Sequence, residues 1–309
     1  MSTEKIILLL GSKGFLGSRV KKIFNNKNFF IIDPSKRELD LKKSNKIKVF
    51  LKKHKVSHII NCAGKVGGIL DNSLNQLDFY RENSEINYNL ISSSLDLGIK
   101  NFLNLSSSCM YPDSFLRKMN EKDLMSGKLE PTNLGYAIAK LSAANYIDLI
   151  KNKYDYNYSN LIPCNLYGPN DNFSENESHL IASIIRKVSK AKRSKDKSIE
   201  VWGDGSPKRE FLYVDDLAKF IFSIIKKNYN LPSYLNVGYG KDYTVKQFYK
   251  KVMDIYNYNV KLIYNLNKPN GTKRKLLDIT TAKNRFNFNP STNIESGLKK
   301  TVKFYENTL

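Results

Sequence analysis

Two residues in the middle of the chain have the types and spacing needed to move a proton to or from a carbonyl oxygen. Tyr136 and Lys140 are four positions apart, so on a helix they share a face and place a phenol beside an ammonium group. A phenol ordinarily has a pKa of about 10, and a neighbouring cation favours its ionised form. The pair therefore predicts an acid that protonates a carbonyl oxygen as hydride reaches the carbon, or a base for the reverse step.

A serine cluster follows an apolar segment upstream of this pair. The segment covers residues 102–105, and Ser106, Ser107 and Ser108 come directly after it. In an open parallel sheet, ligands bind beyond the carboxyl ends of the strands, so these hydroxyl groups are expected to face the cleft. We expect Ser107 to hydrogen-bond the same carbonyl oxygen as Tyr136.

A glycine-rich turn near the amino terminus indicates a nucleotide site. Gly11, Gly14 and Gly17 follow the apolar run at 6–10 and precede a helix-like segment. Glycine lets the backbone approach a pyrophosphate closely, and the following helix offers free N–H groups to it. The spacing is GxxGxxG rather than the commoner GxGxxG. A strand before the turn and a helix after it favour dinucleotide binding.

The residues after the second apolar run bear on which dinucleotide binds. Asp33 ends the run at 29–32, where a carboxylate would reach the adenosine ribose and favour NAD. Lys13, Lys36 and Arg37 are close to the same place in the sequence and would neutralise the 2′-phosphate of NADP. The sequence favours NADP and leaves NAD open.

Apolar runs alternate with helix-like segments, which predicts an α/β fold with a Rossmann-type, doubly wound parallel sheet. The predicted strands are 6–10, 29–32, 58–61, 101–105 and 158–162, with helical segments that include 82–97 and 136–151. Beyond residues 163–169 the loops become rich in Asn, Ser and Gly. We expect an NADP-binding domain at 1–165 that includes a returning segment near 209–240, and a smaller C-terminal substrate-binding domain in the rest of 166–309.

Composition limits the classes of function. The chain has 309 residues, is 41% hydrophobic and carries a net charge of +22, yet the lysines are spread along the chain and no nucleic-acid-binding motif accompanies them. Such a charge suits an anionic nucleotide-sugar substrate.

No apolar segment reaches the roughly 18 to 20 residues that cross a bilayer, and no leader pattern is seen, so we expect a cytoplasmic protein without membrane or nucleic-acid partners. Three scattered cysteines and three histidines predict neither disulfides nor a metal site.

Several motifs together resemble the extended short-chain dehydrogenase/reductase family over nearly the whole chain. Within it they are most similar to the branch that converts GDP-4-keto-6-deoxy-D-mannose to GDP-L-fucose, by epimerisation at C3 and C5 and NADPH-dependent reduction at C4. The motifs lie at 63–69, 106–112, 130–133, 165–173, 201–205, 268–272 and 274–278. The resemblance implies a homodimer.

The resemblance also implies catalytic roles. Ser107 and Tyr136 would polarise the C4 oxygen, Tyr136 would supply the proton, and Lys140 would hold the nicotinamide ribose. The C4 ketone acidifies the hydrogens on C3 and C5, so their inversion needs groups that remove and return protons. Cys109 and His179 match the positions assigned that work, and their ordinary pKa values differ by about two units.

Binding residues follow from the same resemblance. The implied cofactor-binding residues are Gly11, Ser12, Lys13, Gly14, Phe15, Leu16, Gly17, Lys36, Arg37, Asp40, Leu41, Leu105, Ser106, Ser107, Lys140, Pro163, Asn165, Leu166 and His179. The implied substrate-binding residues are Lys187, Trp202, Arg209, Asn270 and Lys275. Two of these depart from the family pattern: Asn270 stands where aspartate is usual, and Lys187 stands where arginine is frequent.

Three other functions remain open at this stage. A sister enzyme could reduce a related GDP-4-keto sugar, such as a dideoxyhexose or a 6-deoxyheptose, although retention of both Cys109 and His179 favours double epimerisation. A nucleotide-sensing protein could keep the fold without the chemistry, which the retained Ser107, Tyr136 and Lys140 disfavour. Nucleic-acid binding would rest on the net charge and on the basic cluster at 186–197.

Overall fold

The structure is a computed structural model that describes residues 5–27, 29–175, 177–268 and 271–309. In chain order the strands are β1 (Ile7–Leu10), β2 (Ile31–Ile32), β3 (His58–Asn61), β4 (Asn101–Leu105), β5 (Asn157–Pro163), β6 (Asn165–Tyr167), β7 (Ser198–Trp202), β8 (Lys208–Tyr213), β9 (Tyr234–Val237), β10 (Asp242–Thr244), β11 (Lys261–Asn265) and β12 (Arg274–Lys275). The helices are α1 (Phe15–Asn25), α2 (Ser44–Lys53), α3 (Ile69–Leu74), α4 (Gln76–Asp96), α5 (Leu134–Tyr154), α6 (Leu180–Ser194), α7 (Val214–Lys227), α8 (Val245–Tyr256), α9 (Thr280–Phe286) and α10 (Ile294–Glu306).

Six parallel strands form the main sheet, in the order β2-β1-β3-β4-β5-β9. Because the chain runs outward in opposite directions from β1 and β3, a crevice opens between their carboxyl ends, and ligands bind at such a point in open α/β sheets. The predicted α/β fold with a Rossmann-type parallel sheet is confirmed.

Side chains on alternate residues of β1 enter different cores, which explains why this strand is apolar throughout. Ile7 and Leu9 pack in the core that contains residues of α1 and α7, whereas Leu8 and Leu10 pack in the core that contains residues of α2, α4 and α5. Helices therefore cover both faces of the sheet, as expected for a doubly wound fold. The structure puts β2 at only Ile31–Ile32, shorter than the predicted run at 29–32.

Smaller sheets follow the main one in the sequence. β8 pairs with β6, β10 and β12, and β11 pairs with β7. Between these strands the chain returns to the main sheet through α7 and β9. The division into two domains at residue 165 stays a prediction. In the described ranges, no helix combines the length and apolarity that crossing a bilayer requires.

Candidate active site

One large cleft, with a volume of about 1320 Å³, runs from the glycine turn to the smaller sheets. Its size exceeds the roughly 300 to 1,000 Å³ that a single small ligand usually occupies. All five predicted catalytic residues line it: Ser107, Cys109, Tyr136, Lys140 and His179. The cleft therefore offers room for a dinucleotide and a second nucleotide-bearing ligand together.

The glycine turn at one end of the cleft is packed too tightly for side chains. Gly11 has a φ of +74°, and a Cβ atom there would lie 2.7 Å from the backbone of Cys62. A Cβ atom on Gly17 would lie 2.0 Å from the carbonyl oxygen of Gly11. Helix α1 begins directly after Gly14 with no side-chain cap and no acidic residue in its first turn. This turn and the uncapped amide groups fit a pyrophosphate.

Only some of the residues predicted to surround the adenosine of the cofactor line the cleft. Lys13 and Lys36 line the cleft, together with Asp40 and Leu41. Arg37 is exposed and does not belong to the cleft lining, so its contact with the cofactor stays a prediction.

The carboxylate of Asp33, which favoured NAD in the sequence, forms an ion pair with a lysine. Asp33 lies 2.7 Å from the Nζ atom of Lys21 and is outside the cleft lining. Of the two opposing signals at this end, the positive charges of Lys13 and Lys36 are therefore the ones that face the cleft.

Tyr136 and Lys140 lie one turn apart on α5, as their spacing predicted. The Lys140 Nζ atom lies 5.9 Å from the centroid of the Tyr136 ring and donates a hydrogen bond to the carbonyl oxygen of Leu105 at 2.9 Å. The Leu105 carbonyl belongs to β4, and Ser107 follows it by two residues. A hydrogen bond between the side chains of Ser107 and Tyr136 lowers the pKa of the phenol. The three side chains therefore form one group.

The electrostatics of this group differ from the sequence expectation. Burial is the largest influence on Tyr136 and raises its pKa well above 10, against the lowering expected from a neighbouring cation. Burial also lowers the pKa of Lys140 to about 8, because its ammonium group is taken out of water and has one carbonyl partner. The phenol is therefore a proton donor. The lysine is mostly charged at pH 7 and loses its proton at a lower pH than an ordinary lysine.

Cys109 occupies a short 3-10 turn, Ser108–Met110, that Ser107 caps by accepting a hydrogen bond from the Cys109 amide at 3.2 Å. Two nitrogen atoms approach its sulfur: Nδ2 of Asn133 at 3.5 Å and Nζ of Lys275 at 3.7 Å. Both are positioned to donate to the sulfur. Lys275, predicted as a substrate ligand, is thus also a neighbour of the thiol.

His179 lies at the start of α6, across a loop from Asp171. Its Nδ1 atom is 3.5 Å from Oδ1 of Asp171. The interaction with Asp171 raises the pKa of His179, although burial acts in the opposite direction. His179 therefore lines the cleft as a titratable group whose pKa is raised by an acidic partner.

The residues predicted to bind the nucleotide sugar lie at the far end of the cleft. Lys187 donates to the carbonyl oxygen of Glu200 at 2.9 Å, and its Nζ atom lies 5.8 Å from the Trp202 ring centroid. The ammonium group of Lys268 lies 5.2 Å from the same ring. The Trp202 ring is thus flanked by two cations in a place where it could also stack on a base.

Arg209 lies on β8, opposite Lys275 on β12 in the register of their parallel pairing. Burial lowers the pKa of Arg209 to about 10. The next residue, Glu210, is fully buried and accepts hydrogen bonds from the backbone amides of Gly240 at 2.5 Å and Leu277 at 2.9 Å. It therefore fixes the backbone two residues beyond Lys275. Arg209 and Lys275 together place two positive charges against the cleft.

Most of the predicted binding residues line this cleft, with two exceptions. Arg37 does not, and Asn270 lies outside the described residues. Glu130, Thr132 and Asn133 also line the cleft, although they were not predicted as site residues. They belong to the 130–133 motif, which was used only as a marker of resemblance, and its position just before Tyr136 was the available signal.

Comparison with known proteins relates the whole chain to enzymes of nucleotide-sugar metabolism. Residues 7–238 match the model of the NAD dependent epimerase/dehydratase family. The chain is 40% identical over 302 residues to GDP-L-colitose synthase from Yersinia pseudotuberculosis, covering 97% of this chain and 98% of that protein. It is 35% identical over 308 residues to GDP-L-fucose synthase from Azorhizobium caulinodans, covering 99% and 97%.

A solved structure extends the comparison to the fold. MlghC, a GDP-mannoheptose C4 reductase from Campylobacter jejuni with NADP bound, superposes with a TM-score of 0.87 over 99% of both chains, at 24% identity. At this level of identity the likeness concerns the fold alone.

Proposed function

The chain belongs to the NAD dependent epimerase/dehydratase family, as its motifs predicted, and on this premise we propose that it converts GDP-4-keto-6-deoxy-D-mannose to GDP-L-fucose. It is a member of the GDP-sugar epimerase/reductases within this enzyme family. The observation that carries the more specific proposal is the placement of Ser107, Tyr136 and Lys140 in the same cleft as Cys109 and His179.

Reduction at C4 uses the group on β4 and α5. Ser107 and Tyr136 hydrogen-bond the ketone oxygen, and the phenol gives it a proton as the negative charge develops. The raised pKa of Tyr136 suits a group that must hold its proton until then. Lys140 holds the nicotinamide ribose. When bound, NADPH supplies the hydride to C4.

Epimerisation at C3 and C5 uses Cys109 and His179. The C4 ketone makes the hydrogens on both carbons acidic, and the resulting enolate is neutralised by a proton delivered to the opposite face. A thiol and an imidazole titrate close enough to neutrality to exchange protons with such carbons. Asn133 and Lys275 hold the sulfur of Cys109 in place through the contacts described above.

The remaining charges bind the two nucleotides. The turn at Gly11, Gly14 and Gly17 and the start of α1 cradle the pyrophosphate of the dinucleotide, since no Cβ atom would fit at Gly11 or Gly17. Lys13 and Lys36 favour NADPH because their charges face the cleft where a 2′-phosphate would lie. NADP is also the cofactor named for the Campylobacter jejuni relative of the same fold.

The GDP part of the substrate occupies the other end. Arg209 and Lys275 pair with its diphosphate, Arg209 by two parallel hydrogen bonds. Lys187 and Trp202 lie at the guanine end, and Asn270 is proposed there from the motif alone. A lysine at 187 offers a point charge rather than the planar fork of arginine.

A homodimer is part of the proposal. Helices α4 and α5 pack together, and their outer sides expose apolar residues at helical spacing. These residues are Leu77, Tyr80 and Tyr88 on α4 and Ile138 and Leu149 on α5. Such a surface suits a two-fold contact with a second copy of the chain. A cytoplasmic location stays a prediction.

Incubation with GDP-4-keto-6-deoxy-D-mannose and either NADPH or NADH tests the function. We expect GDP-L-fucose, identified by NMR from the configuration at C3, C4 and C5, and faster turnover with NADPH. A product reduced at C4 without inversion at C3 and C5, or no turnover of any GDP-sugar, would reject the proposal.

A second candidate is a related GDP-4-keto sugar, favoured by the 40% identity to GDP-L-colitose synthase. Colitose lacks the C3 hydroxyl group, so a 3-deoxy substrate has no stereocentre at C3 and needs inversion at C5 alone. Competition between the 3-hydroxy and 3-deoxy forms of the substrate, read as the ratio of kcat/KM values, decides between the two. Preference for the 3-deoxy form would assign the chain to the second reaction.

A further inference from the structure

The loop between β6 and α6 holds an acidic partner for His179 that the proposed mechanism does not use. Asp171 and His179 lie at opposite ends of this loop, and their side chains approach to 3.5 Å between Oδ1 and Nδ1. The same oxygen accepts a hydrogen bond from the Asn172 amide at 2.8 Å. The carboxylate is thus fixed to its own loop, and the imidazole is directed at it through one specific nitrogen.

The carboxylate of Asp171 is shielded from solvent. Its side chain is 2% exposed, whereas that of His179 is 44% exposed. Its second carboxylate oxygen, Oδ2, is buried and has no hydrogen-bond partner in the described part of the chain. A buried, under-bonded carboxylate is costly unless a cation lies beside it. The protonated imidazole of His179 is such a cation.

We propose that Asp171 is a positioning residue for His179: it accepts a hydrogen bond from Nδ1–H, turns Nε2 toward the bound hexose, and keeps the ring protonated until it gives a proton to the sugar. This rests on the proposed function for the last step only. Asp171 does not touch the substrate and acts entirely through the imidazole.

Other charged groups near His179 have different partners. On its own loop, Glu175 lies 3.4 Å from Arg186 of α6, and Glu177 accepts a hydrogen bond from Asn172. Across the cleft, Lys275 contacts Cys109, and burial lowers the pKa of Arg209. The hydrogen bond and charge of Asp171 are what raise the pKa of His179.

Pairing at Nδ1 also has a consequence for the tautomer. When the imidazole loses its proton to the sugar, the proton that remains is held on Nδ1 by the carboxylate, and Nε2 is left as the free base. A free imidazole in water prefers the opposite tautomer, with the proton on Nε2. The ring is thereby ready to take a proton back at the same atom from which it gave one.

Nitrogen NMR of the full-length protein without substrate tests the pairing directly. The chain has only three histidines, and burial lowers the pKa of one of them, His58, to about 4. A His179→Gln variant identifies the His179 signals. We expect the neutral form of His179 to carry its proton on Nδ1 and its titration midpoint to fall in Asp171→Asn. A neutral ring protonated on Nε2, or an unchanged midpoint, overturns the proposal.

Catalysis provides the second readout. In Asp171→Asn we expect solvent deuterium exchange into the substrate carbons to fall about tenfold or more near neutral pH, with its pH profile moved to lower pH and NADPH binding unchanged. The matched control is Glu177→Gln, which removes a carboxylate from the same loop and should leave the midpoint and the exchange rate as in the parent protein. Equal effects of both variants would indicate loop charge rather than pairing.

The two readouts separate this inference from the proposed function. If the parent protein exchanges no deuterium into any GDP-4-keto sugar, the function fails while the NMR result still decides whether Asp171 holds Nδ1. If exchange is normal in the parent protein and in Asp171→Asn, the positioning role of Asp171 fails and the function stands. Should Asp171→Asn not fold, the tautomer of His179 in the parent protein decides the question alone.

Discussion

The two halves of the cleft are built in different ways. The proposed reduction group stands on regular elements, with Tyr136 and Lys140 on one helix and Ser107 just beyond a central strand. The proposed epimerisation pair comes from irregular segments far apart in sequence, Cys109 in a short turn and His179 at the end of a loop. Spacing along one helix therefore reveals Tyr136 and Lys140, whereas only the folded chain brings Cys109 and His179 into one cleft.

The two halves also differ in how their surroundings act on proton affinity. Burial dominates around α5, where it raises the pKa of Tyr136 and lowers that of Lys140. Around His179 a specific partner dominates, since Asp171 raises its pKa in spite of burial. Burial keeps a group neutral, and a charged partner keeps it charged. The comparison predicts a neutral acid for reduction and a charged acid for proton exchange at carbon.

Loss of the phenol should separate the halves most sharply. In Tyr136→Phe the C4 oxygen has no proton donor, so reduction should fall by about 100- to 10,000-fold. Deuterium exchange at C3 and C5 should continue, because Cys109 and His179 are intact. NADPH consumption and NMR of the recovered substrate measure the two processes. Normal reduction in this variant would show that the proton comes from elsewhere.

Replacement of the thiol should give the complementary result. Cys109→Ser keeps the size of the side chain but replaces a thiol with a hydroxyl group that is a far weaker acid, so exchange should slow by roughly 100-fold. Binding of NADPH should be unaffected, because Cys109 is not among the proposed cofactor-binding residues. Exchange at the parent rate would remove Cys109 from the mechanism. The two halves of the cleft would then not have separate roles in reduction and epimerisation.

Features that depend on local sequence pattern could be predicted from the sequence, whereas features that depend on contacts between distant segments could not. The strands β3 and β4 match the predicted bounds, and Tyr136 and Lys140 lie one turn apart, because these features depend on local pattern. The raised pKa of Tyr136 was missed, since burial is set by all the elements around the phenol. Asp171 was missed for the same reason: it lies eight positions before His179, and no repeat or spacing rule connects the two.

The substrate end of the second half offers a smaller effect. Arg209→Lys keeps the charge but loses the planar fork that pairs with a diphosphate through two hydrogen bonds, so KM for the GDP-sugar should rise about tenfold with little change in kcat. Arg274→Lys is a matched control on the neighbouring strand, where the guanidinium pairs with Asp242 rather than the cleft. A similar rise in KM for both variants would mean that the effect comes from sheet stability.

The smallest expected effect concerns Lys140 in the first half. Burial lowers its pKa to about 8, so the ammonium form that holds the ribose dominates at pH 7 and is largely lost by pH 9. A hydrogen bond from a neutral amine is weaker, and NADPH affinity should fall about fivefold over this range. Fluorescence titration measures it, and Lys140→Met should bind more weakly at pH 7 without the step. A step that persists in Lys140→Met would belong to another group, and burial would then not control charge in this half of the cleft.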